Sequence, residues 1–103
     1  MNDPVKTDSA KYAKASHTWT DPWADDKEVT CEYQFRRPAK SDISRFNKEV
    51  NKSPAVAQTN LLVTIVHPDD LDRMKTDLDK YPALLATLAS WALKGSGLSD
   101  LGN

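Results

Sequence analysis

The side chains most able to do chemistry in this sequence are two histidines, one cysteine and a run of aspartates. His17 and His67 stand fifty residues apart, so they form no helical i, i+4 pair, and neither has a second ligand type at a metal-binding spacing. His67 precedes Pro68, a position that suits capping or hydrogen bonding at a helix junction. Asp69, Asp70 and Asp72 lack the glycine and the closing glutamate of a calcium loop, and the positive end of a helix explains them without a metal. Cys31 is the single cysteine. It can form no intramolecular disulfide, and no base with an orienting partner can be picked out to activate it as a nucleophile. The three glycines, at 95, 97 and 102, cannot build a phosphate-cradling loop ahead of a helix. The sequence is therefore read as non-enzymatic, with no catalytic residue, no metal ligand and no cofactor.

Charge points to macromolecular contacts. The formal net charge of -1 argues against a protein whose main task is to neutralise nucleic-acid phosphates. Between Val29 and Lys52, however, Arg36, Arg37, Lys40, Arg45, Lys48 and Lys52 outnumber Glu32, Asp42 and Glu49, while the flanking segments are acidic. Such a distribution fits a solvated helix face beside a loop. It also fits an acidic partner, or self-association of a basic patch with an acidic one.

The elements that must carry these residues are legible in the hydrophobic pattern. Val29, Cys31, Tyr33 and Phe35 alternate with Thr30, Glu32 and Gln34, the period of a half-buried strand. A lone strand needs a neighbour, and the segment around His17 to Thr20 is the candidate second arm of a hairpin. Incomplete pairing would leave an edge open to another chain. Cys31, on the apolar face, is expected to act as a small hydrophobe. Trp19 and Trp23 flank Thr20-Asp21-Pro22, a turn signal. The two indoles either close the core or anchor a partner, since Trp is favoured at binding hot spots.

Downstream the grammar is helical. Pro38 ends the strand, Ser41 is the expected N-cap of a first helix, and Ile43, Phe46, Asn47 and Val50 form its apolar stripe, with Arg45, Lys48 and Glu49 outside. Ser53-Pro54 caps a second helix to about Val66, whose later half, Leu61 to Val66, is apolar nearly all round. That half lies at the centre of the core or is covered by a partner. A third helix opens at Pro68 and carries Leu71, Met74, Leu78 and Tyr81; a fourth opens at Pro82 and carries Leu84, Leu85, Leu88, Trp91 and Ala92, with Gly95 as its left-handed cap. The first two helices imitate a helix-turn-helix, but no Lys or Arg lies between Pro54 and Val66, where a recognition helix would need them.

These elements predict a mainly α protein with a short N-terminal β segment, an α+β arrangement in which a compact bundle of about four helices follows a β-hairpin or strand. Residues 1–18 are expected to be a disordered tail, 19–95 one globular domain and 96–103 a flexible tail, as the size allows one modest core. No run approaches the roughly 18 apolar residues of a membrane span, and the polar N-terminus does not resemble a signal peptide. The expected location is a cytosol.

The order of parts resembles one family. The strand ending in Phe35-Arg36-Arg37-Pro38, the following Lys40-Ser41-Asp42-Ile43-Ser44-Arg45-Phe46, and the helical set ending in Trp91-Ala92-Leu93-Lys94 are similar to the small tail assembly chaperones of long-tailed bacteriophages and their prophages. The resemblance covers roughly residues 19 to 95. It implies a factor in the bacterial host cytoplasm that binds the tape measure protein during tail morphogenesis, meets tail tube proteins, and can form homo-oligomers. It assigns no individual functional residue. On their own chemistry, the side chains expected to meet a partner are Trp19, Trp23, Phe35, Arg36, Arg37, Leu62 and Val66. The rival expectations are a structural or adaptor (head-tail joining) phage protein and a small DNA-binding regulator.

Overall fold

The computed structural model describes residues 11–97. It opens with two antiparallel strands, β1 (Tyr12–Asp21) and β2 (Lys27–Arg36), paired from Tyr12 with Arg36 to Asp21 with Lys27. Four helices follow, α1 (Lys40–Val50), α2 (Pro54–Ile65), α3 (Leu71–Lys80) and α4 (Leu84–Gly95). This is the hairpin-plus-four-helix α+β architecture the sequence predicts.

The hairpin is longer than expected. Residues 12–18, assigned above to a tail, form most of β1. Their apolar content is small, but in this register Ala15 lies opposite Tyr33 and Ala13 opposite Phe35. Two alanines suffice where the partner strand supplies the bulk. Of the expected tails, residues 1–10 and 98–103 lie outside the described residues. The turn is made by Asp21, whose Oδ1 accepts a 3.0 Å bond from the Trp23 N–H, a short 3-10 turn over Pro22–Ala24, and Asp25 and Asp26 at φ 55 and 58. Asp is among the few L-residues that adopt this left-handed region readily.

The second edge of β2 is covered by the helical half. Val66 makes a single antiparallel bridge to Phe35, and the His67 N–H donates to the Gln34 carbonyl at 2.8 Å. The Gln34 N–H donates to Asp70 Oδ2 at 2.8 Å, and Arg73 donates to the Glu32 carbonyl at 2.6 Å while pairing with Asp70 at 2.7 Å. Asp70 and Arg73, one helical turn apart, thus stand in for a third strand, satisfying backbone groups that a bare edge would expose. The hydrogen bond from Gln34, aided by Arg73, holds the Asp70 carboxyl below the usual carboxylate range.

The core lies between the apolar face of β2 and helices α2 and α4. Leu61, Leu62, Ile65 and Val66 are all buried, as are Tyr33, Phe35, Met74 and Leu88. The all-round apolarity of late α2 is therefore explained inside the chain: β2 bridges its end and α4 packs along it. Helix α1 is more superficial, with Ile43, Phe46 and Val50 only half-buried and Asn47 exposed. Phe46 packs against the core, and polar pairs also join the helix to α2. Arg45 donates to Thr64 Oγ1 at 3.0 Å and Asn60 donates to Glu49 at 3.2 Å, so Arg45 and Glu49, expected on the outer face, turn toward the neighbouring helix.

Two terminal details differ from expectation. The N-cap of α1 is Ala39, and it is the side chain of Asp42, in the first turn, that reaches back to accept the Ala39 N–H at 2.7 Å. Ser41 lies within the helix. Gly95 remains helical, and the left-handed glycine is Gly97, at φ 105. Ser53 caps α2 as predicted, accepting from the Val56 N–H at 3.3 Å.

Candidate protein-binding groove

The hairpin tip and the α3–α4 junction enclose a groove of about 590 Å³. Trp19, Pro22 and Trp23 line it from the hairpin, with Tyr81, Pro82 and Leu84 opposite. Trp19 meets Tyr81 edge to face at 4.9 Å between ring centroids, and the Lys80 ammonium sits 5.4 Å from the Tyr81 ring centre. The two tryptophans have separate fates. Trp19, at an odd position of β1, points to the helices and is half-buried, whereas Trp23, on the turn, is 93% exposed. Trp23 has few internal contacts to lose and much apolar surface to give to a partner. Asp21, Asp25 and Asp26 make the rim of this end acidic.

The other expected contact residues divide differently. Phe35, Leu62 and Val66 are core residues, exposed by 6% or less, because the bridge between Phe35 and Val66 seals the junction of sheet and α2. Leu62 and Val66 lie beneath the surface, and Phe35 reaches it only at the floor of a concavity beside Arg37. Arg37 is exposed, while Arg36 is committed to the scaffold, donating to Asp42 Oδ2 at 2.9 Å and to the Arg37 carbonyl at 3.1 Å. A second concavity of about 520 Å³ lies beside them, lined by Lys11, Ala13, Phe35, Arg37 and Trp91 among others. One end of the molecule is thus acidic and aromatic, the other basic.

Asp42 organises the basic end. Buried at 5% exposure, its carboxyl is opposed by desolvation, yet the Ala39 N–H and the Arg36 guanidinium outweigh this and hold it below the usual carboxylate range. Arg45 adds a third contact at 3.8 Å. Two of the six basic side chains of this stretch, Arg36 and Arg45, are therefore tied to the scaffold. Tyr33 is the other unusual group. Burial and the hydrogen bond of its hydroxyl to Asp77 Oδ2, 2.5 Å long, push its ionisation above the ordinary phenol range.

The histidines and the cysteine occupy separate settings. His67 Nδ1 accepts the Asp69 N–H at 3.0 Å, the capping role its position suggests, and its ring lies 4.7 Å from Tyr12. His17 pairs across the hairpin with Cys31, which is buried. Among the described residues no group of three or more His, Cys, Asp or Glu side chains could hold a metal ion. No helix there is long and apolar enough to cross a membrane. The sequence reading missed the Asp70–Arg73 clasp on β2. Its one sequence signal, opposite charges three apart at a helix start, also fits a common surface pair.

The fold and groove define a small α+β domain in which a long hairpin is laid on four helices. The chain belongs to the family described as a domain of unknown function (DUF6848), which matches residues 9–103. It is similar over its whole fold to a solved structure of an uncharacterised protein, rbstp2171, from Bacillus stearothermophilus: 25% identity, TM-score 0.74, covering 96% of this chain and 94% of that one. No curated protein matches the chain.

Proposed function

We propose that this protein is a non-enzymatic protein-binding factor that holds an apolar stripe of a client in the groove between the hairpin tip and the α3–α4 junction. The observation that carries this reading is Trp23, 93% exposed at the mouth of a groove already lined by Trp19 and Tyr81. A rigid indole beside an apolar trough is the anchor type that dominates binding energy at protein interfaces. The resemblance to phage tail assembly chaperones supplies the client: the long, helical tape measure protein, met in the host cytoplasm during tail morphogenesis. An amphipathic helix laid into the groove on its apolar stripe is the corresponding recognition mode.

The test is co-expression with a phage tape measure protein, followed by affinity capture and comparison with purified particles. Capture from the cytoplasm, absence from the finished particle, and loss of binding by about 30-fold or more in Trp23→Ala, the size of a hot-spot residue, are expected. Retention in the particle would instead indicate a head-tail joining component. Salt-sensitive retention on DNA, lost on replacing Arg36, Arg37 and Arg45 together, would overturn the reading in favour of a DNA-binding regulator.

A further inference from the structure

The two edges of the hairpin are treated differently. The edge of β2 is clasped by Asp70, Arg73 and His67 between Glu32 and Phe35. The edge of β1, ten residues long, has no such cover among the described residues. Because the Gln34 N–H and carbonyl both point away from β1, the Gln34–Lys14 pair is of the non-hydrogen-bonded kind, and the alternation of an antiparallel ladder then fixes the rest. The backbone groups of Tyr12, Lys14, Ser16, Thr18 and Thr20 all point outward from the hairpin. No proline interrupts this row, and Lys14 is its one charged side chain. It has little of the protection that edge strands ordinarily carry.

We propose that β1 pairs with β1 of a second copy of this chain, about a two-fold axis at Ser16, to make a continuous four-stranded antiparallel sheet. The residues of β1 are complementary to themselves in this register. Trp19 falls opposite the partner's Ala13, and His17 opposite the partner's Ala15, so each large side chain on the helix-facing side meets a methyl group. Asp21 falls opposite the partner's Lys11. Beyond that pair, the acidic tip with Asp25 and Asp26 comes beside the partner's basic end, where Lys11, Arg37 and Trp91 line the second concavity. Shifting the two-fold to His17 would set the two histidines against each other, and shifting it to Ala15 would set Trp19 against the partner's Lys11. Ser16 is the centre that matches both size and charge. An isologous contact of this kind closes on itself and leaves the clasped β2 edges outermost.

Sedimentation equilibrium of the full chain should give twice the monomer mass of 11.5 kDa at about 0.1 mM. Ser16→Pro removes an outward N–H while leaving the β1–β2 ladder its own bonds, and should weaken self-association by about tenfold or more. Because proline could also disturb β1 itself, the charge pair gives an independent route. Asp21→Lys and Lys11→Asp should each weaken the homodimer by setting like charges together, and mixing the two variants should restore a dimer. A wild-type chain that remains monomeric throughout would overturn the proposal. So would a dimer that ignores both charge reversals, or two reversal variants that fail to recombine.

Discussion

Replacing Asp42 tests how the basic end of the molecule is held together. In Asp42→Ala, the Ala39 N–H loses a 2.7 Å acceptor and Arg36 loses a 2.9 Å partner. A charge-assisted bond to a buried carboxylate contributes about 1.5–3 kcal/mol. Helix-capping bonds lie nearer 1 kcal/mol. Arg36 is 29% exposed, so water recovers part of its loss, and Arg45, 45% exposed, adds little. The sum is roughly 3 kcal/mol, a large share of the 5–15 kcal/mol that stabilises a domain of this size. Asp42→Asn keeps an acceptor for the Ala39 N–H but removes the charge, and should cost about half as much. The pH dependence separates charge from packing. Since the folded carboxyl titrates below its unfolded value of about 3.9, its stabilisation is complete above that value and is lost as pH falls through the depressed folded value. Urea unfolding at a series of pH values should therefore show a constant gap between wild type and Asp42→Asn near neutrality that closes in acid. A gap unchanged in strong acid, or an Asp42→Ala variant within about 0.5 kcal/mol of wild type, would refute the assignment.

Three further outcomes follow from burial. Tyr33→Phe should lower stability by about 1 kcal/mol through loss of the bond to Asp77. In the wild type, the raised ionisation of Tyr33 means its contribution is intact below the unfolded value of about 10 and is lost as pH rises above it, which alkaline denaturation with phenolate absorbance will read. Leu62→Ala should cost about 3 kcal/mol, and client capture by the fraction that remains folded should be unchanged, because Leu62 is fully buried. The Cys31 thiol, buried against the helices, should react with an alkylating reagent only as fast as the protein opens, and rapid labelling of the native chain would contradict the packing.

Much of the fold was legible because the strongest patterns coincide with the largest burial. The alternation from Val29 to Phe35 is the inner face of β2, and Ser53-Pro54 and His67-Pro68 mark the helix starts. What escaped was carried by weak or non-local signals. Ala13 and Ala15 are too small to announce a strand, and they work only because Tyr33 and Phe35 stand opposite. Apolar residues at Leu62 and Val66 look alike whether they face a partner or a core, and only the bridge to Phe35 decides. The same ambiguity covered the two tryptophans: four positions apart, one faces the helices from a strand and the other rides on a turn. Arg36 and Arg45 read as surface charge because their common partner, Asp42, is recognisable as buried only once the chain has folded around it.

The separation of the tryptophans has an optical consequence. Of the three indoles in the chain, Trp19 and Trp91 are half-buried, and Trp23 alone stands almost entirely in water. Water dipoles relax around an excited indole and lower its emission energy, so Trp23 should supply the red side of the emission band and nearly all of its access to ionic quenchers. A partner that covers the groove must shift that component to shorter wavelength, while one that binds elsewhere leaves it in place. The native sequence thus contains a reporter of groove occupancy that needs no added dye.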